Sequence, residues 1–166
     1  MAKESRAIGR YVALAYSKVG NPLIPATNDL EAWAAFEEAA SVEVCYFSPT
    51  AWKFCGELLI KPILGFPAAP EKAIQDLWNE LDDTLKRLDA ILSGRSHLAG
   101  EQFTLVDIWS MPWISHLIDV KGWDVIFRDR PHLCEWWKRV SSRPAWLEAL
   151  KLMNGAFEAL KRDEAK

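Results

Sequence analysis

The 166-residue sequence predicts an all-α fold, a single helical bundle. Apolar residues recur three and four positions apart along nearly the whole chain, which is the spacing of one helix face. No alternating apolar–polar pattern is longer than four residues, so no strand is predicted. Apolar residues make up 50% of the chain and charged residues 26%, a composition typical of a globular domain with a buried core. We expect one domain over residues 1–152 and a solvated tail over residues 153–166.

The first two predicted helices are separated by a loop rich in Pro and Asn. Ser5 can cap the first helix, and Gly20-Asn21-Pro22 ends it. The second helix runs from about Asp29 through Ser48. Pro49 either interrupts this helix or starts a new one, since proline suits a first turn, and the helical pattern continues to about Pro62. The apolar stripe of the first helix consists of Ile8, Tyr11, Val12 and Ala15.

The later helices carry clearer signals. A long helix follows Pro70, with charged residues between its apolar positions. Another begins at Thr104, whose side chain can cap the first turn while Asp107, three residues later, returns the bond in a capping box. A last unit runs over Arg130–Leu152 and breaks at Arg143-Pro144. The apolar positions of the long helix are Ile74, Leu77, Trp78, Leu81, Leu85, Leu88 and Leu92.

Charge and composition exclude several classes of partner. The net charge of -3 and the pI of about 5.7 favour neither nucleic acid nor an anionic membrane as a partner. No apolar run approaches the roughly 18 residues needed to span a bilayer, and the first residues lack the features of a signal peptide. Cys45, Cys55 and Cys134 have the spacing of neither a disulfide framework nor a zinc site. We therefore expect a cytoplasmic protein.

The sequence contains no recognisable catalytic motif. His97 and His132 have no matching third ligand, so no metal site is predicted. Neither a phosphate-binding loop nor a nucleophile elbow is present. The nine tryptophans are more informative, because each buried indole N–H needs a hydrogen-bond partner. We expect some of these rings to line a cleft or an interface.

Four stretches of the chain resemble one protein family. They are "ESRAIGRYVA", "WKFCGELLIKPILG", "HLAGEQFTLVDIWSMPWI" and "RDRPHLCEWWKRVSSRPAW". The first is similar to the junction of a cytosolic glutathione transferase, where the thioredoxin-like domain ends and the helical domain begins. The other three resemble the helical C-terminal domain of phi-class enzymes and their fungal relatives. The resemblance implies the fold of that helical domain over nearly the whole chain and says less about activity.

The resemblance also implies a missing half. In the family the thioredoxin-like domain supplies most of the glutathione site, and we expect this chain to lack that domain. Glu4 and Ser5 resemble the family's Glu-Ser pair, which grips the γ-glutamyl end of glutathione, so they would be a remnant of that site. The other interpretation is an N-cap with a favourable charge near a helix start. We expect no cofactor, and glutathione only if a partner supplies a thioredoxin-like domain.

The predicted ligand cleft has two walls. His116 shares a helix face with Trp109 and Trp113, and the position that it resembles in phi-class enzymes faces the cleft for the hydrophobic substrate. There it would act as a general acid or base; the alternative is a structural histidine. The segment "VCYFSPTAWKFC" resembles the other wall of that cleft. The alternative interpretation is that its side chains pack in the core. The ligand-binding residues predicted in that segment are Tyr46, Phe47, Thr50 and Phe54.

Three functions remain open from the sequence. The first is a stand-alone helical domain that binds a flat apolar molecule and promotes an isomerisation, cyclisation or elimination without glutathione. The second is a non-catalytic assembly module that docks a partner protein, as similar domains do in translation factors and synthetase complexes. The third is the helical half of a conventional glutathione transferase. A homodimer or a protein partner would cover the face left by the missing domain.

Overall fold

The computed structural model describes residues 3–153, which form a bundle of α-helices. No strand occurs in this range, and the predicted all-α fold is confirmed. The helices are α1 Ser5–Ala15, α2 Leu30–Val42, α3 Ser48–Cys55, α4 Lys61–Ile63, α5 Glu71–Leu92, α6 Leu105–Lys121, α7 Trp123–Phe127 and α8 Pro131–Ser141. Residues 144–153 are helical as well. Apart from residue 153, the predicted tail lies outside the described residues, so the domain boundary at 152 stays a prediction.

Helices α2, α3 and α4 form one continuous helical run that contains two π-helical turns, Glu43–Phe47 and Gly56–Ile60. Each π-turn comes directly before a helix with proline at one of its first two positions, Pro49 in α3 and Pro62 in α4. A proline has no N–H to donate, and its ring crowds the carbonyl four residues earlier. Helices deviate from regular geometry at prolines and at π-turns. Pro49 therefore begins a new helix without ending the helical run.

Helix α6 lies at the centre of the bundle. It packs against α1, α2, α3, α7 and α8, and its mostly apolar sequence is typical of a helix buried on all sides. Gly122 follows α6 with a φ of 86°, which lets the chain turn directly into α7. The buried side chains of α6 are Leu105, Val106, Asp107, Ser110, Met111, Ile114 and Leu117.

The start of α6 is capped, and the predicted capping box is confirmed. The backbone N–H of Val106 donates to Thr104 Oγ1 at 3.3 Å, and the backbone N–H of Thr104 donates to Asp107 Oδ2 at 2.8 Å. Asp107 Oδ1 also accepts from the backbone N–H of Leu98 at 3.1 Å and from Trp136 Nε1 at 2.8 Å. Asp107 therefore joins α6 to the preceding turn and to α8, in addition to capping its own helix.

Helix α5 packs against α3 on one side and α8 on the other. The chain enters α8 through Arg130, which is buried. Arg130 Nη1 donates to the carbonyls of Val125 at 3.1 Å and Ile126 at 2.7 Å, and its Nη2 donates to Asp82 on α5. This arginine ties the end of α7 to α5 and α8. The residues of the predicted apolar stripe that are buried are Leu81, Leu85, Leu88 and Leu92.

Candidate functional site

A groove opens on the surface between the start of α1, the start of α3 and the middle of α6. Its volume is about 570 Å³, and its lining is more apolar than that of two other surface depressions of about 390 Å³ and 470 Å³. Ser5, Arg6 and Ser48 lie at its polar end. We call it the tryptophan groove. Its apolar lining residues are Pro49, Trp52, Ile108, Trp109, Pro112 and Trp113.

Three indole rings form the flat walls of the tryptophan groove. Trp52 and Trp113 meet edge to face, with ring centroids 6.1 Å apart, and Trp52 is 55% exposed. The guanidinium carbon of Arg10 lies 4.9 Å from the ring centroid of Trp109, within the range of a cation–π contact. Gly9 lets α1 approach this ring, because a Cβ atom there would lie 3.2 Å from Trp109 Nε1. The packing of α1 against Trp109 therefore holds this wall of the groove in place.

A buried carboxylate organises the polar end of the groove. Glu43, in the first π-turn, is 2% exposed and accepts hydrogen bonds from Arg6 Nε at 2.7 Å and Arg6 Nη2 at 2.6 Å. The Ser48 hydroxyl donates to Glu43 and accepts from Arg6 Nη2 at 2.8 Å and from Trp113 Nε1 at 2.9 Å. The hydrogen bond to Glu43 raises the pKa of Arg6, which remains a cation. These four side chains join α1, α3 and α6 at one point.

Comparison with known proteins shows the family. The family model described as "Glutathione S-transferase, C-terminal domain" matches residues 42–144. Glutathione S-transferase F10 of Arabidopsis thaliana is 34% identical over 145 residues, which cover 87% of this chain and 66% of that protein. The glutathione S-transferase of Hyoscyamus muticus is 33% identical, with 89% of this chain and 68% of that protein covered. This chain belongs to the glutathione S-transferase C-terminal domain family.

A solved structure agrees with this assignment. The apo form of glutathione S-transferase III superposes with a TM-score of 0.79 at 31% identity, over 90% of this chain and 67% of that chain. The chain spans about two thirds of the length of the transferases it matches. The predicted resemblance to the helical C-terminal domain is therefore confirmed.

The structure corrects one predicted wall of the cleft in this family member. Phe47 and Phe54 have no exposed surface and lie in the core. Thr50 is also buried, and its hydroxyl donates to the carbonyls of Tyr46 and Phe47, both at 2.9 Å. Tyr46 is 62% exposed but does not line the groove. Phe47, Thr50 and Phe54 recur at the spacing of one helix face, and that face is turned to the core, so their neighbours Pro49 and Trp52 line the groove instead.

His116 lies one turn beyond Trp113 on α6. The two rings meet at a steep angle with centroids 6.5 Å apart, and His116 Nδ1 is 4.0 Å from Asp119 Oδ2. Its side chain is 29% exposed, and it is absent from the groove lining. Trp109 and Trp113 do line the groove. A role for His116 in acid–base catalysis stays a prediction.

Glu4 and Ser5 lie at the exposed start of α1. Glu4 occupies the N-cap position and Ser5 is the first helical residue, but Glu4 makes no side-chain capping bond in the described residues. The expected cap by Ser5 is wrong, because Ser5 lies inside the helix and Glu4 occupies the N-cap position. Ser5 lines the groove beside Arg6. The interpretation of Glu4 and Ser5 as part of a glutathione site stays a prediction.

Sequence reasoning missed four residues at the polar end and the mouth of the groove: Arg6, Glu43, Ser48 and Trp52. One signal was available for Glu43, because it falls on the apolar face of the predicted second helix, where a carboxylate needs a buried partner. No local signal identified Arg6 as that partner, since the two residues are 37 positions apart. Trp52 was one of nine tryptophans and had no feature to distinguish it.

Other reactive side chains do not gather into a second site. Among residues 3–153, no group of three side chains could hold a metal ion. Burial raises the pKa of the Cys55 thiol to about 12, so this thiol is not a nucleophile; Cys45 is exposed and Cys134 is half-buried. Within the described helices, none is both long enough and apolar enough to cross a membrane.

Proposed function

We propose that this chain binds a flat apolar small molecule in the tryptophan groove, as the ligand-binding helical part of a glutathione-transferase-type protein in the cytoplasm. The observation that supports it is the groove: its volume of about 570 Å³ lies within the range of small-molecule sites. Its walls are indole and proline rings, with polar groups confined to one end. Flat aromatic molecules bury the most area against such walls.

Binding of a ligand in the tryptophan groove requires no proton-transfer step. A general acid or base must come within hydrogen-bond reach of the reacting group. His116 lies beside Trp113 and Asp119 and outside the groove lining. Orientation of a ligand by the groove therefore needs no contribution from this histidine.

The test is a fluorescence titration of the chain with 2-ethylnaphthalene. Trp52→Ala removes an exposed wall of the groove, and Trp123→Ala is the matched control, because Trp123 is a partly exposed indole that lines no part of the groove. We expect saturable binding that weakens about ten-fold in Trp52→Ala, since a buried aromatic face contributes about 1.5 kcal/mol. The control should bind like the wild type. Absence of saturation, or an equal loss in both variants, would reject the proposal.

A second candidate function is association with a thioredoxin-like partner domain that completes a glutathione site. The observation that favours it is the outer face of α1, where Ile8, Tyr11 and Val12 are all exposed. An uncovered apolar stripe of this kind is typical of an interface. The relatives are whole glutathione S-transferases by name, and the first turn of α1 carries Glu4 and Ser5.

Immobilised glutathione tests this second function. We expect the chain alone to wash through the resin, because most of the glutathione site would come from the partner domain. Retention of the chain alone, with elution by free glutathione, would show that the partner domain is not needed. Light scattering on the same sample measures whether a second copy covers α1 instead.

A further inference from the structure

Most of the polar capacity at the end of the tryptophan groove is already used. A serine hydroxyl has one donor and two acceptor positions, and Ser48 uses all three, with Glu43, Arg6 and Trp113. The single side-chain N–H of Trp113 donates to the Ser48 hydroxyl. Glu43 receives three hydrogen bonds and is buried. These three side chains therefore have few unused donor or acceptor positions for a ligand.

Arg6 is the exception. A guanidinium carries five N–H donors in one plane, and Arg6 directs its Nε–Nη2 edge at Glu43 and Ser48. In that planar group Nη1 lies at the vertex opposite this edge, so it points away from the buried carboxylate. Nη1 has no partner among residues 3–153, and the Arg6 side chain is 29% exposed and lines the groove. The two N–H groups of Nη1 are therefore the donors of Arg6 that remain for a ligand at the polar end of the groove.

The carboxylates near these donors already outnumber the guanidinium that carries them. Glu43 pairs with Arg6 through two hydrogen bonds. The negative charge of Glu4 also stabilises the charged form of Arg6 and so helps to raise its pKa. The next cation, Arg10, is 3.4 Å from its own partner Glu37. An anionic ligand would meet two carboxylates near one guanidinium, so repulsion would offset much of the attraction. A neutral acceptor avoids this repulsion and still accepts from Nη1.

We propose that the tryptophan groove takes flat aromatic ketones and related neutral carbonyl compounds. Their carbonyl oxygen accepts from Arg6 Nη1 while their rings lie against Trp52 and Trp113. The inference rests on the proposed function and deepens it by naming the ligand class. The groove also contains a candidate backbone acceptor, the carbonyl of Ile108, because Pro112, four residues later, has no N–H to donate to it. A donor-bearing ligand therefore belongs in the test.

The test uses four ligands with one ring system and different polar groups, measured by equilibrium dialysis. They are 2-ethylnaphthalene, with no polar group; 2-acetylnaphthalene, with a neutral acceptor; 2-naphthoate, with an anionic acceptor; and 2-naphthylmethylammonium, with donors only. We expect 2-acetylnaphthalene to bind about ten-fold more tightly than 2-ethylnaphthalene, the effect of one hydrogen bond to a charged group. The anion and the ammonium ion should both bind more weakly than the ketone.

A variant pair assigns the ketone preference to Arg6. Arg6→Lys keeps the positive charge but removes Nη1. Arg10→Lys is the control, because the guanidinium carbons of Arg6 and Arg10 lie 6.0 Å and 4.9 Å from the ring centroid of Trp109, but only Arg6 lines the groove. We expect Arg6→Lys to bind 2-acetylnaphthalene and 2-ethylnaphthalene with about equal affinity, because the ketone preference is lost with Nη1. Arg10→Lys should keep the preference. If Arg6→Lys fails to fold, the ranking of the four ligands on the wild type still decides.

Three outcomes would overturn the inference, and only one of them also overturns the proposed function. Equal binding of the ketone and the hydrocarbon, or tighter binding of the anion or the ammonium ion, rejects the carbonyl preference but leaves a ligand groove. Binding of none of the four rejects both the inference and the proposed function. Retention of the ketone preference in Arg6→Lys would assign it to another group.

Discussion

Two buried carboxylates hold parts of this bundle together, Asp107 at the start of α6 and Glu43 in the first π-turn. Both are almost completely shielded from solvent, at 0% and 2% exposure. Both are linked to an indole N–H, since Trp136 donates to Asp107 and Trp113 reaches Glu43 through Ser48. The remaining donors differ: Asp107 receives backbone N–H groups and a hydroxyl, whereas Glu43 receives a guanidinium.

The difference between the donors separates a folding role from a role at the surface. Asp107 is enclosed by the turn, helix start and indole that it joins, so no polar atom around it is left for a ligand. Arginine carries more N–H groups than one carboxylate can accept, and its long stem lets the free group reach the surface. The pairing of Glu43 with Arg6 therefore leaves a donor at the groove, while the bonds of Asp107 leave none.

The largest expected effect is that of Asp107→Ala. The substitution leaves the N–H groups of Leu98, Thr104 and Trp136 without their acceptor, and we expect the free energy of unfolding to fall by about 3 kcal/mol or more. Urea unfolding followed by circular dichroism measures it. Asp83→Ala, at an exposed position on α5, is the control. A loss of only about 1 kcal/mol would mean that Asp107 acts as a simple helix cap.

The second effect is that of Glu43→Gln, which neutralises the carboxylate at the groove. Removing one partner of a buried pair is strongly destabilising, but Arg6 is partly exposed and can turn to water, so we expect a loss of about 2 kcal/mol. Affinity for 2-acetylnaphthalene should fall as well, because Glu43 holds Arg6 in place. The measurements are urea unfolding and dialysis, with Glu37→Gln as control. Unchanged ketone binding would contradict the positioning role.

Asp82 extends the comparison to a carboxylate at the edge of the core. Partial burial acts to raise the pKa of Asp82, but the hydrogen bond from Lys86 and the charge of Arg130 outweigh it and hold the pKa below its ordinary value. A depressed pKa contributes stability that is present above the unfolded pKa of about 4 and is lost as pH falls through the folded pKa. Asp82→Asn should therefore be less stable than the wild type at neutral pH.

The measurement for Asp82 is the pH dependence of urea unfolding in both proteins. At neutral pH we expect a difference of about 1 kcal/mol, because the pair is partly screened by solvent. The difference should shrink below about pH 4, where both proteins carry an uncharged group at this position. A difference that stays constant down to about pH 2 would show that shape, and not charge, stabilises the contact with Arg130.

The parts of the molecule that were predictable depend on neighbours along the chain. The capping box of Thr104 and Asp107 follows from residues three positions apart. The leucine stripe of α5 follows from the three- and four-residue spacing of one helix face. Both are local patterns, so the identity of the residues was sufficient to place them, although the bonds from Leu98 and Trp136 to Asp107 were not predictable.

The composition of the groove was not predictable in the same way. The family resemblance of their segment placed Phe47 and Phe54 at the cleft, with core packing as the alternative, and the structure buries both and leaves Trp52 at the groove. The pair of Arg6 and Glu43 spans 37 positions and closes only when α1 packs against the bundle. Helical spacing alone does not say which face packs inward, and a distant partner leaves no periodic signal.

By itself, the sequence determined the all-α class, the family, the cap of α6 and the leucine stripe of α5. It did so because helices are specified by contacts within one or two turns and by a recurring apolar face. Only the tertiary structure decided which carboxylate is enclosed and which one supports a groove. That distinction depends on how three helices meet around Glu43 and on which guanidinium nitrogen of Arg6 has no partner within the part of the chain that the structure describes.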